Sequence, residues 1–317
     1  MTLQLTDCPP DRYGLFRRSE LRRLGVSDDQ LAAAVASEQL TRLSRGVFMP
    51  TQPPAVAASA AGRQAKYRLE CIAAVTSTRA GDAPLSHESA AALHGLPLLH
   101  PDLSVVHVVR GGRGGGSVRA SRHRHAGAVP ESEIVEVDGI RVTDLRRTAL
   151  DLAQTGTFAQ ALTVVDGVLA RGVSKESLHA AAADRTTTGI RVAQRAVAHG
   201  SGLSATVGES WSRAQMIDAD LPLPQLQREY WLSGEQYFPD YDWDGLLIGE
   251  FDGLVKYRGV LREGEKPHDT VIREKLREDR FREAGIAVVR WVWADLQRNL
   301  MVPRVRAALI RVGLFAA

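Results

Sequence analysis

Apolar and polar positions along the chain change period several times, and each change marks an element. Ser19–Leu24 reads as a short helix stopped by Gly25, a residue suited to the left-handed position past a helix end. Ser27-Asp28-Asp29-Gln30 has the S-x-x-Q form of a capping box, and Leu31 and Val35 give the following helix, to about Ser37, an apolar stripe. LTRLSRGVF, Leu40–Phe48, predicts two short strands turning near Arg45-Gly46. Further on, the pattern predicts a long helix over Ala60–Thr78, with Leu69, Ile72, Ala73 and Thr76 on one side. A helix in 85–97, capped by Ser86 and ended by Gly95, follows. Strands are predicted at Leu103–Val109 and Ile140–Thr143, and helices near 145–154, 157–171 and 174–183. The last third reads as a helix over Ser204–Ala219, strands near 227–232, 236–242, 246–252 and 254–257, a charged helix over 269–284, a strand over Ile286–Trp293 and a helix capped by Asp295.

Composition adds boundaries. A chain of 317 residues is long for one core, so two or three domains are expected. All five tryptophans lie beyond residue 205, behind HGSGLSAT at 199–206, and two prolines in TQPPAVAAS at 51–59 follow a compact first segment. The division is therefore 1–52, 53–200 and 205–317, an α+β multidomain protein with an α/β middle part. A formal net charge of +3 with a pI near 9.0 permits a nucleic-acid partner without demanding one. Cys8 and Cys71 form neither a disulfide framework nor a metal-type spacing, the N-terminus lacks a basic start and apolar core, and no apolar run reaches membrane-spanning length. The expectation is a cytoplasmic protein with no membrane partner. Neither composition nor pattern sets an oligomeric state.

Candidate chemistry concentrates in FPDYDWDGLLIGEFDGLVKY, Phe238–Tyr257. Asp240 and Asp242 alternate, as do Glu250 and Asp252, so on strands each pair shares a face. Hard carboxylate oxygens from adjacent strands suit Mg2+ or Mn2+; a solvated hairpin with acidic outer faces is the alternative. GGRGGG at 111–116 lacks the spacing of a phosphate loop and reads as a glycine loop. In RASRHRH, His123 and His125 could ligate a metal from one strand face, but no third ligand stands at useful spacing; a basic edge that contacts nucleic acid ranks above a metal site, and a plain solvated edge above both.

Helix–turn–helix followed by a hairpin is a winged-helix plan, whose second helix would enter a major groove. GLFRRSELRRLGVSDDQLAAAVASEQLTRLSRGVFMP resembles the winged helix of AbiEi-type antitoxins, repressors of toxin–antitoxin operons, and SHESAAALHGL with GIRVTDLRRTALDLA resembles the region that follows it in that family. The resemblance implies DNA as partner, a possible cognate toxin, Gln30 as a base reader and Arg17, Arg18, Arg42 and Arg45 as phosphate contacts. FPDYDW, GEFDGLVKY and EKLREDRFREAGIAVVRWVWADL resemble the PD-(D/E)XK nuclease core in its very-short-patch-repair-like branch. That resemblance implies a restriction-endonuclease-like domain hydrolysing phosphodiesters. Asp240, Glu250, Asp252 and Glu209 would hold Mg2+ or Mn2+, Asp242 is the alternative acidic ligand, and Lys256 would orient or deprotonate the attacking water. Lys256 stands four positions beyond Asp252, displaced from the usual acidic-x-lysine pattern. Three functions stay open: an endonuclease targeted by a winged helix, a repressor or antitoxin with an inactive nuclease-like domain, and a module whose main ligand is a partner protein.

Overall fold

A computed structural model describes residues 8–77, 83–110, 117–119, 122–127, 129–204, 206–253 and 277–316. Lys256, the strand expected at 254–257, the start of the helix expected at 269 and the glycine loop 111–116 lie outside the described residues. The chain divides into two compact units, Met1–Leu96 with His100–Leu152, and Pro97–Leu99 with Ala153–Ala317. The sequence boundaries at 52 and 200 therefore fall inside units.

In the first unit, β1 (Phe16–Arg17), α1 (Arg18–Arg23), α2 (Asp28–Ala36), β2 (Leu40–Ser44) and β3 (Val47–Pro50) form a helix pair and a three-stranded sheet ordered β1-β3-β2. The capping box is fully made: Ser27 Oγ accepts the Gln30 N–H at 3.1 Å, and Gln30 Oε1 accepts the Ser27 N–H at 2.7 Å. Leu21, Val26, Leu31, Ala34, Leu40 and Phe48 close a small core beneath these helices. The winged helix does not end there. Leu15, Val47 and Met49 join a second core with Tyr67, Cys71 and Ile72, so the segments on either side of residue 52 bury a common surface.

That second core is built on α3 (Pro54–Ala57), α4 (Ala60–Thr76), α5 (His87–His94), β4 (Val106–Arg110), β5 (Ser117–Arg119), β6 (Arg122–Ala126), β7 (Ile134–Val137) and β8 (Ile140–Thr143). β6 lies parallel to β4 and antiparallel to β5. Leu85 bridges to both Val108 and Val142, tying this sheet to the β7–β8 hairpin. Ser86 is the N-cap residue of α5 by position, but its hydroxyl makes no capping bond and contacts His87 Nδ1 at 3.1 Å instead. The division between units falls within α6 (Leu145–Thr155).

The second unit contains α7 (Phe158–Leu169), α8 (Lys175–Ala183), α9 (Ile190–His199) and α10 (Val207–Asp218). It continues with β9 (Gln225–Leu226), β10 (Tyr230–Leu232), β11 (Glu235–Tyr237), β12 (Tyr241–Trp243), β13 (Leu247–Asp252), β14 (Ala287–Val292), α11 (Trp293–Gln297) and α12 (Met301–Arg311). A four-stranded sheet runs β14-β13-β12-β9, parallel only between β13 and β14. One face packs Tyr241, Trp243, Leu247, Phe251 and Trp291 against Met216, Met301 and Val305 from the helices. Gly249 is required here, because a Cβ would stand 2.7 Å from Trp291 Cη2 and 3.0 Å from Trp243 Cζ3. Asp295 acts from inside α11, its Oδ2 accepting the Val292 N–H at 3.0 Å. No described helix is long and apolar enough to cross a membrane.

Candidate functional site

Four arginines line a groove in the first unit. Arg17 and Arg18 stand at the junction of β1 and α1, while Arg42 and Arg45 rise from β2 and the β2–β3 turn. All four line a groove of about 940 Å³ whose apolar floor comes from Leu31, Val35, Val47 and Phe48. Gly46 lets the wing turn, with φ of 76°, and a register shift between Arg42 and Ser44 bends the strand beside it. Arg42 and Arg45 are exposed. Arg18 makes a two-pronged bond to Asp28 at the start of α2, Nε to Oδ1 at 2.8 Å and Nη2 to Oδ2 at 2.6 Å. That bond holds the Asp28 carboxyl below its ordinary range. Arg17 Nε reaches Asp11 at 2.9 Å and its Nη2 reaches Thr76 Oγ1 at 2.8 Å.

Gln30 is engaged within its own helix start. Its side-chain carbonyl folds back onto the Ser27 amide as half of the capping box, so the bidentate adenine contact expected of a base-reading glutamine is not available in this rotamer. The capping signal and the base-reading assignment used the same side chain, and the local bond takes it.

The carboxylates occupy one face of the sheet in the second unit. β12 and β13 pair with Asp242 opposite Ile248 and Tyr241 opposite Gly249, so Asp242, Ile248, Glu250 and Asp252 point to the side away from the aromatic core. Asp240, just before β12, accepts the Phe251 N–H on Oδ2 at 2.8 Å and is almost fully buried, as is Glu250. Glu209 lies in the first turn of α10, where Thr206 Oγ donates to its Oε1 at 2.8 Å. The approach is close: a Cβ on Gly208 would meet Phe251 Cε1 at 2.0 Å. Burial raises the Tyr241 hydroxyl well above its ordinary pKa, and the Asp240 and Glu209 carboxylates add to that rise.

Arginines offset these acids. Glu250 Oε1 is 2.6 Å from Arg277 Nη2, and Asp252 Oδ2 is 3.9 Å from Arg290 Nη1, whose residue sits beside Glu250 in the parallel β13–β14 register. Asp242 has a different task. Its Oδ1 accepts from the Tyr230 hydroxyl and the Gly245 N–H, and its Oδ2 from Arg228 at 2.9 Å, so it pins the strand turn rather than facing a ligand. The donor type fits a hard cation. Among the described residues, however, these carboxylates do not form a set of three with ligand atoms within 4.8 Å of one another.

One such set exists among the described residues: His87, His107 and His125. The sequence supplied His125 and its neighbour His123 but not their partners. His107 lies beside His123 in the parallel β4–β6 register, and α5 brings His87 over them. Parity along VVHVVR carried half of that signal; the contribution of α5 is a tertiary fact.

The chain is 27% identical over 279 residues to the uncharacterized proteins MT2308 of Mycobacterium tuberculosis strain CDC 1551 / Oshkosh and Rv2248 of strain ATCC 25618 / H37Rv, covering 86% of this chain and 93% of each relative. Residues 5–51, the segment that carries all four groove arginines, match the family described as "Transcriptional regulator, AbiEi antitoxin".

Proposed function

We propose that this protein is a DNA-binding transcriptional regulator of antitoxin type that grips the duplex backbone through its winged helix. The observation that carries this reading is the convergence of Arg17, Arg18, Arg42 and Arg45 on one groove between α2 and the wing. Guanidinium groups bind phosphate oxygens in forked pairs, and such contacts fix position on DNA without reading sequence. The exposed face of α2 carries Asp29 and alanines rather than base-reading side chains, so backbone contact and DNA shape supply most of the affinity. A cognate toxin would be a second partner under the same reading.

The test is a fluorescence-anisotropy titration of the full chain with duplex DNA from upstream of its own gene. Each phosphate contact adds about −0.9 to the slope of log K against log salt, so Arg42→Ala/Arg45→Ala flattens the slope by about 1.8. Absence of binding at low salt, or an unchanged slope in the double variant, refutes the reading.

A second reading, metal-dependent phosphodiester hydrolysis in the second unit, is favoured by the burial of Asp240 and Glu250, the first of them held by the Phe251 amide. A divalent Mg2+ or Mn2+ there would polarise a phosphodiester. Asp240, anchored by the Phe251 amide, would hold a ligand oxygen in place, and Glu250 would become a ligand on releasing Arg277. Lys256 would orient or deprotonate the attacking water. Plasmid nicking that needs Mg2+ or Mn2+ and disappears in Asp240→Asn and Glu250→Gln is expected; nicking by both variants at the wild-type rate refutes the assignment.

A further inference from the structure

We propose that His87, His107 and His125 form a binding site for a borderline divalent transition metal, zinc above all, with a fourth coordination position left to water. The three rings bring nitrogens together. One ligand nitrogen from each ring lies within 4.8 Å of the other two, and His107 Nδ1 faces His125 Nε2 at 2.8 Å. Tetrahedral zinc with bonds of about 2.0–2.1 Å needs nitrogens about 3.3 Å apart, a set that small ring rotations reach from here.

Polar side chains stand close to two of the rings. His107 Nε2 looks toward Glu88 Oε2 at 3.4 Å, and His87 Nδ1 contacts Ser86 Oγ at 3.1 Å. A carboxylate or hydroxyl behind a metal-binding imidazole fixes its tautomer and raises its basicity. His107 Nε2 is buried and makes no well-directed hydrogen bond. Protonation of the imidazole on the metal-free side would leave cationic rings in contact; instead burial, followed by the neighbouring histidines, holds His87 down to about 2, and burial holds His107 and His125 down to about 4.

The backbone shows the same convergence. His87 takes φ of 49° at the first position of α5, a left-handed conformation costing a non-glycine residue of order 1 kcal/mol. Ring stacking accounts for part of the packing, since His87 and His125 lie face to face with centroids 3.7 Å apart. Stacking needs no common focus for the nitrogens. His123 illustrates this: it stacks on His125 at 4.0 Å and stands outside the converging set. Three nitrogen donors favour zinc, cobalt, nickel and copper over magnesium and calcium. Two ligands come from neighbouring strands and one from a helix start, so the bound metal would tie α5 to the β4–β6 pair.

The test uses the full chain without a polyhistidine tag, stripped with chelator and dialysed. Zinc titration with elemental analysis is expected to give about one metal per chain. Co2+ in its place is expected to give the visible bands of a four-coordinate nitrogen site. His107→Gln and His125→Gln are expected to abolish both signals. His123→Gln is expected to retain them, and circular dichroism checks that each variant folds. Should either loss variant fail to fold, thermal shift of the wild type decides: zinc raises the transition and His123→Gln keeps the rise. Binding of less than about 0.1 zinc per wild-type chain at micromolar concentrations, or equal binding by folded His107→Gln and His125→Gln, overturns the site.

Discussion

Replacing Asp166 with alanine should unfold the second unit far more readily than its single lost carboxylate suggests. Asp166 is 1% exposed and sits on α7 facing α10. Its Oδ1 accepts the Ser201 N–H at 2.8 Å, and its Oδ2 accepts from Ser210 Oγ at 2.8 Å and Arg213 Nη1 at 2.7 Å. Arg213 also donates to the His199 carbonyl, so the guanidinium links α7, the end of α9 and α10. Alanine leaves that guanidinium buried without its counter-charge, a loss of about 3–5 kcal/mol. The assay is specific to this unit, because all five tryptophans lie in it. With an m-value of about 2 kcal/mol/M, the urea midpoint followed by tryptophan fluorescence falls by about 1.5–2.5 M. The pH dependence has a definite sign. Burial outweighs the arginine and raises Asp166 above its ordinary value of 3.8, so the folded state binds the proton more tightly than the unfolded chain. The contribution of this group to stability is greatest below the unfolded value and is lost as pH rises through the raised folded value. Asp166→Asn should therefore remove a downward slope in that window. A midpoint shift under about 0.5 M for Asp166→Ala would refute the reasoning, since it implies a guanidinium that finds water as easily as its partner.

Two further outcomes follow from contacts around the candidate sites. Asp28→Asn releases Arg18 and removes a negative charge from the groove, so DNA binding at low salt should tighten and the salt slope steepen by about 0.9; weaker binding in the anisotropy titration would count against the groove. Gly208→Ala places a Cβ 2.0 Å from Phe251 Cε1, and the overpacking should lower the tryptophan-detected stability by about 1–3 kcal/mol; an unchanged urea midpoint would show that α10 slides freely on β13.

How much of this was legible in the sequence depends on whether the deciding contact was local. The capping box from Ser27 to Gln30 set the start of α2 correctly because all its atoms lie within four residues. The alternation of Asp240, Asp242, Glu250 and Asp252 carried the face they share, since parity along a strand needs no tertiary knowledge. It did not carry what holds each acid, because Arg277, Arg290 and Arg228 arrive from elsewhere in the chain. The single strand expected over 236–242 is two, β11 and β12, with Pro239 between them lacking the N–H a ladder needs. Helix α9 was missed: its buried stripe of Ala193, Ala196 and Val197 is weakly apolar, and Gly189 stands where a capping side chain would announce it. The prolines after residue 52 suggest a linker in sequence, whereas the core that Val47 and Met49 share with α4 is a tertiary contact no local pattern announces.

Two candidate metal sites in one chain make opposite demands, and that opposition separates them experimentally. The β12–β13 face offers carboxylate oxygens already charge-paired with arginines, so a cation there competes with Arg277 for Glu250 and gains from high divalent concentration. The α5, β4 and β6 site offers three imidazole nitrogens, donors that suit zinc rather than magnesium. Magnesium at millimolar concentration should therefore drive any nicking without displacing zinc from the histidines. Low-micromolar zinc should fill the histidine site while leaving a nicking reaction dependent on added magnesium. If zinc alone at one equivalent supports nicking, and His107→Gln abolishes it, the carboxylates have been assigned a reaction that belongs to the histidines.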